Sequence, residues 1–191
     1  MEKRYFVISL PRTGTSSLTK MAMECGMRSR HAPHSLWKRC IKDHDFLTDT
    51  PIFCPHVINE ICKLKDYDTN FIYIERNYDE IFDSWKRVNL YKSYSNMKNN
   101  FHNPNHDKPI PFDFISYQSA FNGQHLSETN YKELFDIHKQ TVFNIVHTNN
   151  RPLMIYNFSQ GWEPFCSFIG KEQPCESLPH INKNRMLEKI L

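Results

Sequence analysis

Apolar residues gather along the chain in three short runs, Phe6 to Leu10, Phe71-Ile72-Tyr73-Ile74 and Leu153-Met154-Ile155-Tyr156, rich in β-branched and aromatic side chains. Runs of this length read as buried strands rather than helices. Elsewhere the apolar spacing changes to three and four. Leu18, Met21, Ala22 and Cys25 predict a helix from Thr15 to about Gly26, and Ile81, Trp85 and Val88 form the inner stripe of another that follows Asn77 and runs to about Tyr91. Further helices are predicted around Ser35 to Lys42, Pro55 to Lys65, Tyr131 to His147 and Trp162 to Ile169, the last stopped by Gly170. Pro55 suits a first-turn position, and Asn77 with Glu80 has the spacing of a capping box.

Strands alternating with helices predict an α/β fold, one domain with a parallel β-sheet flanked by helices and a ligand at the carboxyl ends of its strands. A length of 191 residues suits one such domain. From Lys92 to about Ile115 the pattern dissolves into Asn, His, Lys and the prolines Pro104, Pro109 and Pro111. A loop this long inside a domain is expected to be functional or mobile.

Composition narrows the classes. With 39% hydrophobic and 14% aromatic residues the chain reads as globular, and no apolar run reaches the length of a membrane span. The N-terminal apolar stretch is too short for a secretory signal, so a cytoplasmic location is expected. Six cysteines without a CxxC pair predict reduced, packed thiols. A net charge of +3 is too small for bulk nucleic-acid binding. Arg12, Arg76, Lys183 and Arg185 fall near suspected anion sites, and the remaining Lys and Arg are expected on solvated surface.

The chemistry concentrates where the first strand runs into Pro11-Arg12-Thr13-Gly14-Thr15-Ser16-Ser17-Leu18. Turn N–H groups, a helix N-terminus, the Arg12 charge and the hydroxyls of Thr13, Thr15, Ser16 and Ser17 together suit an oxyanion. A Walker loop would need glycine at Ser9 and lysine at Thr15, which disfavours an ordinary ATP or GTP enzyme.

The segment instead resembles the 5′-phosphosulfate loop of the sulfotransferases that use 3′-phosphoadenosine 5′-phosphosulfate (PAPS). The stretch from Phe71 to Trp85 is similar to that family's 3′-phosphate element, with Arg76 at the strand end and Ser84 two helical turns on, on the same helix face as Asn77. A third likeness, to a branch of short sulfotransferase-like proteins, lies in Leu153 to Tyr156, Gly161 to Gly170 and Pro179-His180-Ile181-Asn182. Trp162, Phe165 and Phe168 there are expected in the core.

Together the likenesses span nearly the whole chain and imply a P-loop NTPase-like sulfotransferase fold. They further imply PAPS as sulfuryl donor, adenosine 3′,5′-bisphosphate (PAP) as product and no metal. By the same resemblance Arg12 stabilises the leaving phosphate, its permanently charged fork suiting that group. Thr48-Asp49-Thr50-Pro51 stands where the cytosolic enzymes carry a Thr-His-x-Pro segment, which makes Asp49 the first candidate for the base, a carboxylate in place of an imidazole. His31, His34 and His56 are its rivals. Lys183 and Arg185 either close over the 3′-phosphate or belong to a solvated terminal helix. The acceptor is a hydroxyl of a small molecule or carbohydrate, less readily an amine. It would enter near residues 92–115 and the Ser116 to Gln124 segment, where Phe112, Phe114, Tyr117 and Phe121 form either an acceptor wall or part of the core.

Two other readings stand beside this one. A kinase-like phosphotransferase would need Mg²⁺ and a strand-end carboxylate, for which the chain offers Glu75. A non-catalytic nucleotide-binding protein would keep the fold and lack a competent base.

Overall fold

Five parallel strands pair in the order β2-β3-β1-β4-β5: β1 (Glu2–Val7), β2 (Ser29–His31), β3 (Phe46–Thr48), β4 (Tyr67–Ile74) and β5 (Leu153–Tyr156). The computed structural model of the protein describes residues 1–87, 119–124, 126–174 and 177–179. Its helices are α1 (Thr15–Glu24), α2 (Trp37–Asp43), α3 (Pro55–Cys62), α4 (Tyr78–Arg87), α5 (Tyr131–Thr148) and α6 (Trp162–Ile169).

Because strand side chains alternate, β1 feeds two cores at once. Tyr5 and Val7 pack with Leu18, Met21 and Ala22 of α1 and with Trp162 and Phe165 of α6. Phe6 and Ile8 pack on the other face with Val57, Ile58 and Ile61 of α3 and with Leu134, Phe135 and Val142 of α5. A sheet covered on both faces needs nearly continuous apolar strands, which is why β1 and β4 show in the sequence; β5, at the sheet edge, shows as well although its Ile155 is exposed.

The two short strands do not show. β2 reads Ser-Arg-His and β3 Phe-Leu-Thr, three residues each, too few for a period. β1 begins at Glu2 rather than Phe6, its entry masked by charge, and β4 begins at Tyr67 rather than Phe71. Arg4, expected in solvent, is 3% exposed. Its Nε donates to the Ile41 carbonyl at 3.0 Å, its other nitrogens reach Glu2 and Asp45, and its guanidinium lies over the Tyr67 ring.

The Ser35–Lys42 helix is a 3₁₀ turn, His34–Leu36, followed by α2, and α3 ends at Cys62 rather than Lys65. Pro55 does open α3. At α4 only half of the capping box forms: the Asn77 side chain accepts from the Asp79 N–H at 2.8 Å, while Glu80 is drawn to Arg76 Nε at 2.9 Å. A complete box stands instead at Asn157 and Gln160, opening the 3₁₀ turn Phe158–Gln160 after β5.

Trp162 and Phe165 are buried as expected, and Phe121 is core, stacked on Phe135 beside Trp85. Cys25, Cys40, Cys62 and Cys166 are free thiols, and Cys54 is buried. Residues 92–115, with Phe112 and Phe114, and also Tyr117, Cys175, Lys183 and Arg185, lie outside the described residues. Among those described, no helix is long and apolar enough to cross a membrane.

Candidate functional site

Beyond β1 the chain keeps its hold on β4 for two residues before turning: Ile8 N–H donates to the Ile72 carbonyl at 2.9 Å, and Ser9 Oγ accepts from Ile74 N–H at 2.8 Å. The turn then closes on itself, with Thr13 Oγ1 donating to the Leu10 carbonyl at 2.8 Å, and Trp85 Nε1 donates to the Pro11 carbonyl at 2.9 Å. Arg12 takes a left-handed backbone, φ 71°, and Gly14 lies at φ 115°. Strain of this kind is held only where surrounding contacts impose it. A Cβ on Gly14 would stand 2.4 Å from the Phe158 ring, so the position is closed to side chains by contact as well as by torsion.

α1 starts at Thr15 with no side chain capping it. A helix leaves its first N–H groups without intrahelical acceptors, and their partial positive charge faces whatever lies before the helix. The uncapped start of α1 and the Arg12 charge thus lie next to one another in the chain, a donor set that fits an anionic group.

The end of β4 and the helix that follows it meet this loop directly. Arg12 Nε donates to Ser84 Oγ at 3.0 Å, and Arg76 Nη1 donates to the Arg12 carbonyl at 2.8 Å. Ser84 is 4% exposed and sits on the inner face of α4. Two cations and a serine contributed from different elements are thereby held side by side. Glu75, at the same strand end, pairs with Lys139 at 2.9 Å.

On the other flank, register does the positioning. His31 pairs with Thr48, and Thr48 with Val7, at the carboxyl ends of β2, β3 and β1. His31 Nδ1 lies 2.9 Å from Thr48 Oγ1, and Nε2 lies 3.2 Å from Ser16 Oγ and 3.8 Å from Asp49 Oδ2. Asp49 follows Thr48 with φ 67°. Its Oδ2 accepts from Thr15 Oγ1 at 2.8 Å, and its Oδ1 accepts from the Thr50 N–H at 2.8 Å and the Thr50 hydroxyl at 3.2 Å.

Of the residues singled out in sequence, Arg12, Gly14, Thr15, Ser16, Asp49, His31, Arg76 and Ser84 converge. Ser17 is half-buried in the first turn of α1. Thr13 is buried with its hydroxyl spent on the turn, so it can offer a ligand its backbone N–H rather than its side chain. His34 is exposed in the 3₁₀ turn, its N–H on the Thr50 carbonyl, and His56 lies on α3 beside Ser119. Ser9, Trp85 and Thr48 were missed as site residues. Ser9 and Trp85 bond to the site's backbone and Thr48 to His31, and the apolar pattern marks Trp85 as core, which it also is.

A family model described as "Sulfotransferase domain" matches residues 4–187. No match was found among curated proteins.

Proposed function

The chain belongs to the sulfotransferase family, and from that premise we propose that it moves a sulfuryl group from PAPS to a hydroxyl acceptor of a small molecule or carbohydrate and releases PAP. The observation that carries this reading is the direct linkage of Arg12 with Ser84 and Arg76, which makes one site of two anion-binding elements. A donor with phosphate at both its 5′ and 3′ ends needs such a pair, and a nucleoside triphosphate does not.

In this reading the N–H groups of Thr13 to Ser17, the Ser16 hydroxyl and the Arg12 guanidinium hold the 5′ end, the Thr15 hydroxyl being given to Asp49, and Arg76 and Ser84 hold the 3′-phosphate. The bound donor supplies an electrophilic sulfur and a nucleotide phosphate as leaving group. Arg12 faces the charge that grows on that phosphate with a fork that stays protonated throughout.

The geometry favours His31 over Asp49 as the group that takes the acceptor proton. Asp49 already accepts from Thr15 and twice from Thr50, so three of its roughly four acceptor sites are taken. His31 carries a ring nitrogen toward the loop, and Asp49 at 3.8 Å would face the imidazolium that forms.

Calorimetric titration tests the donor. PAP binding without metal, weakened about tenfold or more by Arg76→Ala, supports it; preference for ATP with Mg²⁺ sinks it.

A further inference from the structure

A chain of buried hydroxyls lies behind His31. Thr19 Oγ1 donates to the Thr15 carbonyl at 2.8 Å, Thr19 Oγ1 and Thr48 Oγ1 are 2.8 Å apart, and Thr48 Oγ1 is 2.9 Å from His31 Nδ1. Thr48 is fully buried and Thr19 nearly so. A hydroxyl has one proton to give. The carbonyl of Thr15 can only accept, so Thr19 gives its proton there and must accept from Thr48. Thr48, its proton spent, can then only accept from His31 Nδ1. This arrangement satisfies every bond in the chain, whereas the reverse polarity loses the bond from Thr19 to the carbonyl.

We propose that Thr19 and Thr48 are positioning residues that hold His31 as its Nδ1–H tautomer and so aim the Nε2 lone pair at the site. Ser16 Oγ lies 3.2 Å from Nε2, and in this tautomer it is the hydroxyl that donates to the lone pair. An acceptor hydroxyl that took the same place would find the nitrogen already turned to receive its proton. The polarity starts from a backbone carbonyl of α1, so the helix that forms the phosphate cradle also sets the protonation of the base. The inference rests on the reading of His31 as base for its catalytic meaning, and the tautomer itself can be observed without any turnover.

The test is ¹H–¹⁵N long-range correlation spectroscopy on full-length protein labelled with [¹⁵N]histidine, at a pH where the rings are neutral, with His31 assigned by the signals lost in His31→Gln. The expected result is a protonated Nδ1 in the wild type and in Thr48→Ser, with Nε2–H appearing in Thr48→Val. Thr19→Val frees the Thr48 proton for Nδ1 and should also populate Nε2–H, which covers the case in which Thr48→Val does not fold. A wild-type ring protonated on Nε2, or valine variants with the wild-type pattern, overturns the proposal. PAP titration of the same samples separates this from the donor reading: the variants should bind within about threefold of wild type, and failure of the wild type to bind PAP would remove that reading alone.

Discussion

Arg12 and Ser84, 72 residues apart in sequence, are joined by a 3.0 Å hydrogen bond from the arginine Nε to the serine hydroxyl. With Nε so placed, and with the Arg12 carbonyl held by Arg76, the loop's conformation depends on the element across from it. Arg12→Ala should weaken PAP binding about 10- to 100-fold, since hydrogen bonds to charged groups contribute about 1.5–3 kcal/mol. Arg12→Lys should regain part of this through its charge, and Ser84→Ala should cost less than either. Isothermal titration ranks the three; equal affinity in wild type and Arg12→Ala would remove Arg12 from the site.

Gly14 sits against Phe158 so closely that an added Cβ would stand 2.4 Å from the ring, and its φ of 115° is one that side chains rarely adopt. Gly14→Ala should lower stability by about 1–3 kcal/mol and shift the N-terminus of α1, weakening PAP binding as well. The double variant with Phe158→Ala should recover the part due to contact and not the part due to torsion. Chemical denaturation of the four proteins of this cycle measures both, and an unaltered Gly14→Ala would contradict the geometry.

The site was legible in sequence wherever chemistry and apolar pattern coincided. The run ending at Leu10 followed by hydroxyls, and the run ending at Ile74 followed by Arg76, each announce a strand delivering polar groups to its carboxyl end, and both do so. His31 was legible only as an isolated histidine, because the strand that carries it has three residues and no apolar one. Its meaning comes from register with Thr48, a long-range fact that no local pattern encodes. Asp49 stood out as the first candidate base by its place in a tetrapeptide, and the bonds it accepts from Thr15, distant in sequence, and from Thr50 beside it show only in the structure. Arg4 misled for a related reason: solvent is the default expectation for a lysine or arginine outside a suspected site, and its burial rests on the distant partners Ile41, Asp45 and Tyr67 together with Glu2.

Cys25 and Cys166 approach to 3.8 Å between sulfurs, joining the end of α1 to α6. Burial, with Cys166 beside it, pushes the Cys25 thiol up to about 12, and burial also raises Cys166. Thiolate is the reactive form, so both should resist alkylation despite partial access to Cys25. Peptide mapping after iodoacetamide treatment at about pH 8 should show labelling of both at least ~100-fold slower in native protein than in denaturant. Rapid native labelling of Cys25 would show that the pair is not packed in this way.

His138 ties acid stability to the core that carries the Thr50–Phe53 segment. It is fully buried on α5, its Nε2 donates to the Phe53 carbonyl at 2.8 Å, and its Nδ1 has no partner among the described residues. Burial lowers its pKa to about 4, from an ordinary value of about 6.5. Between those values the unfolded chain binds a proton that the folded chain refuses. Stability from this residue is therefore complete above about pH 6.5 and is lost as pH falls toward about 4, on the order of 3 kcal/mol across the full window. Asp45, held below the usual carboxylate range chiefly by its hydrogen bond from Arg28, loses its contribution only at lower pH. His138→Gln keeps a donor for Phe53 and cannot titrate. Urea unfolding at about pH 7 and about pH 5 should show the wild type losing more stability than the variant, by about 2 kcal/mol. Equal losses would mean that His138 is protonated in the folded protein, and that its ring is not enclosed between α5 and the segment that follows Asp49.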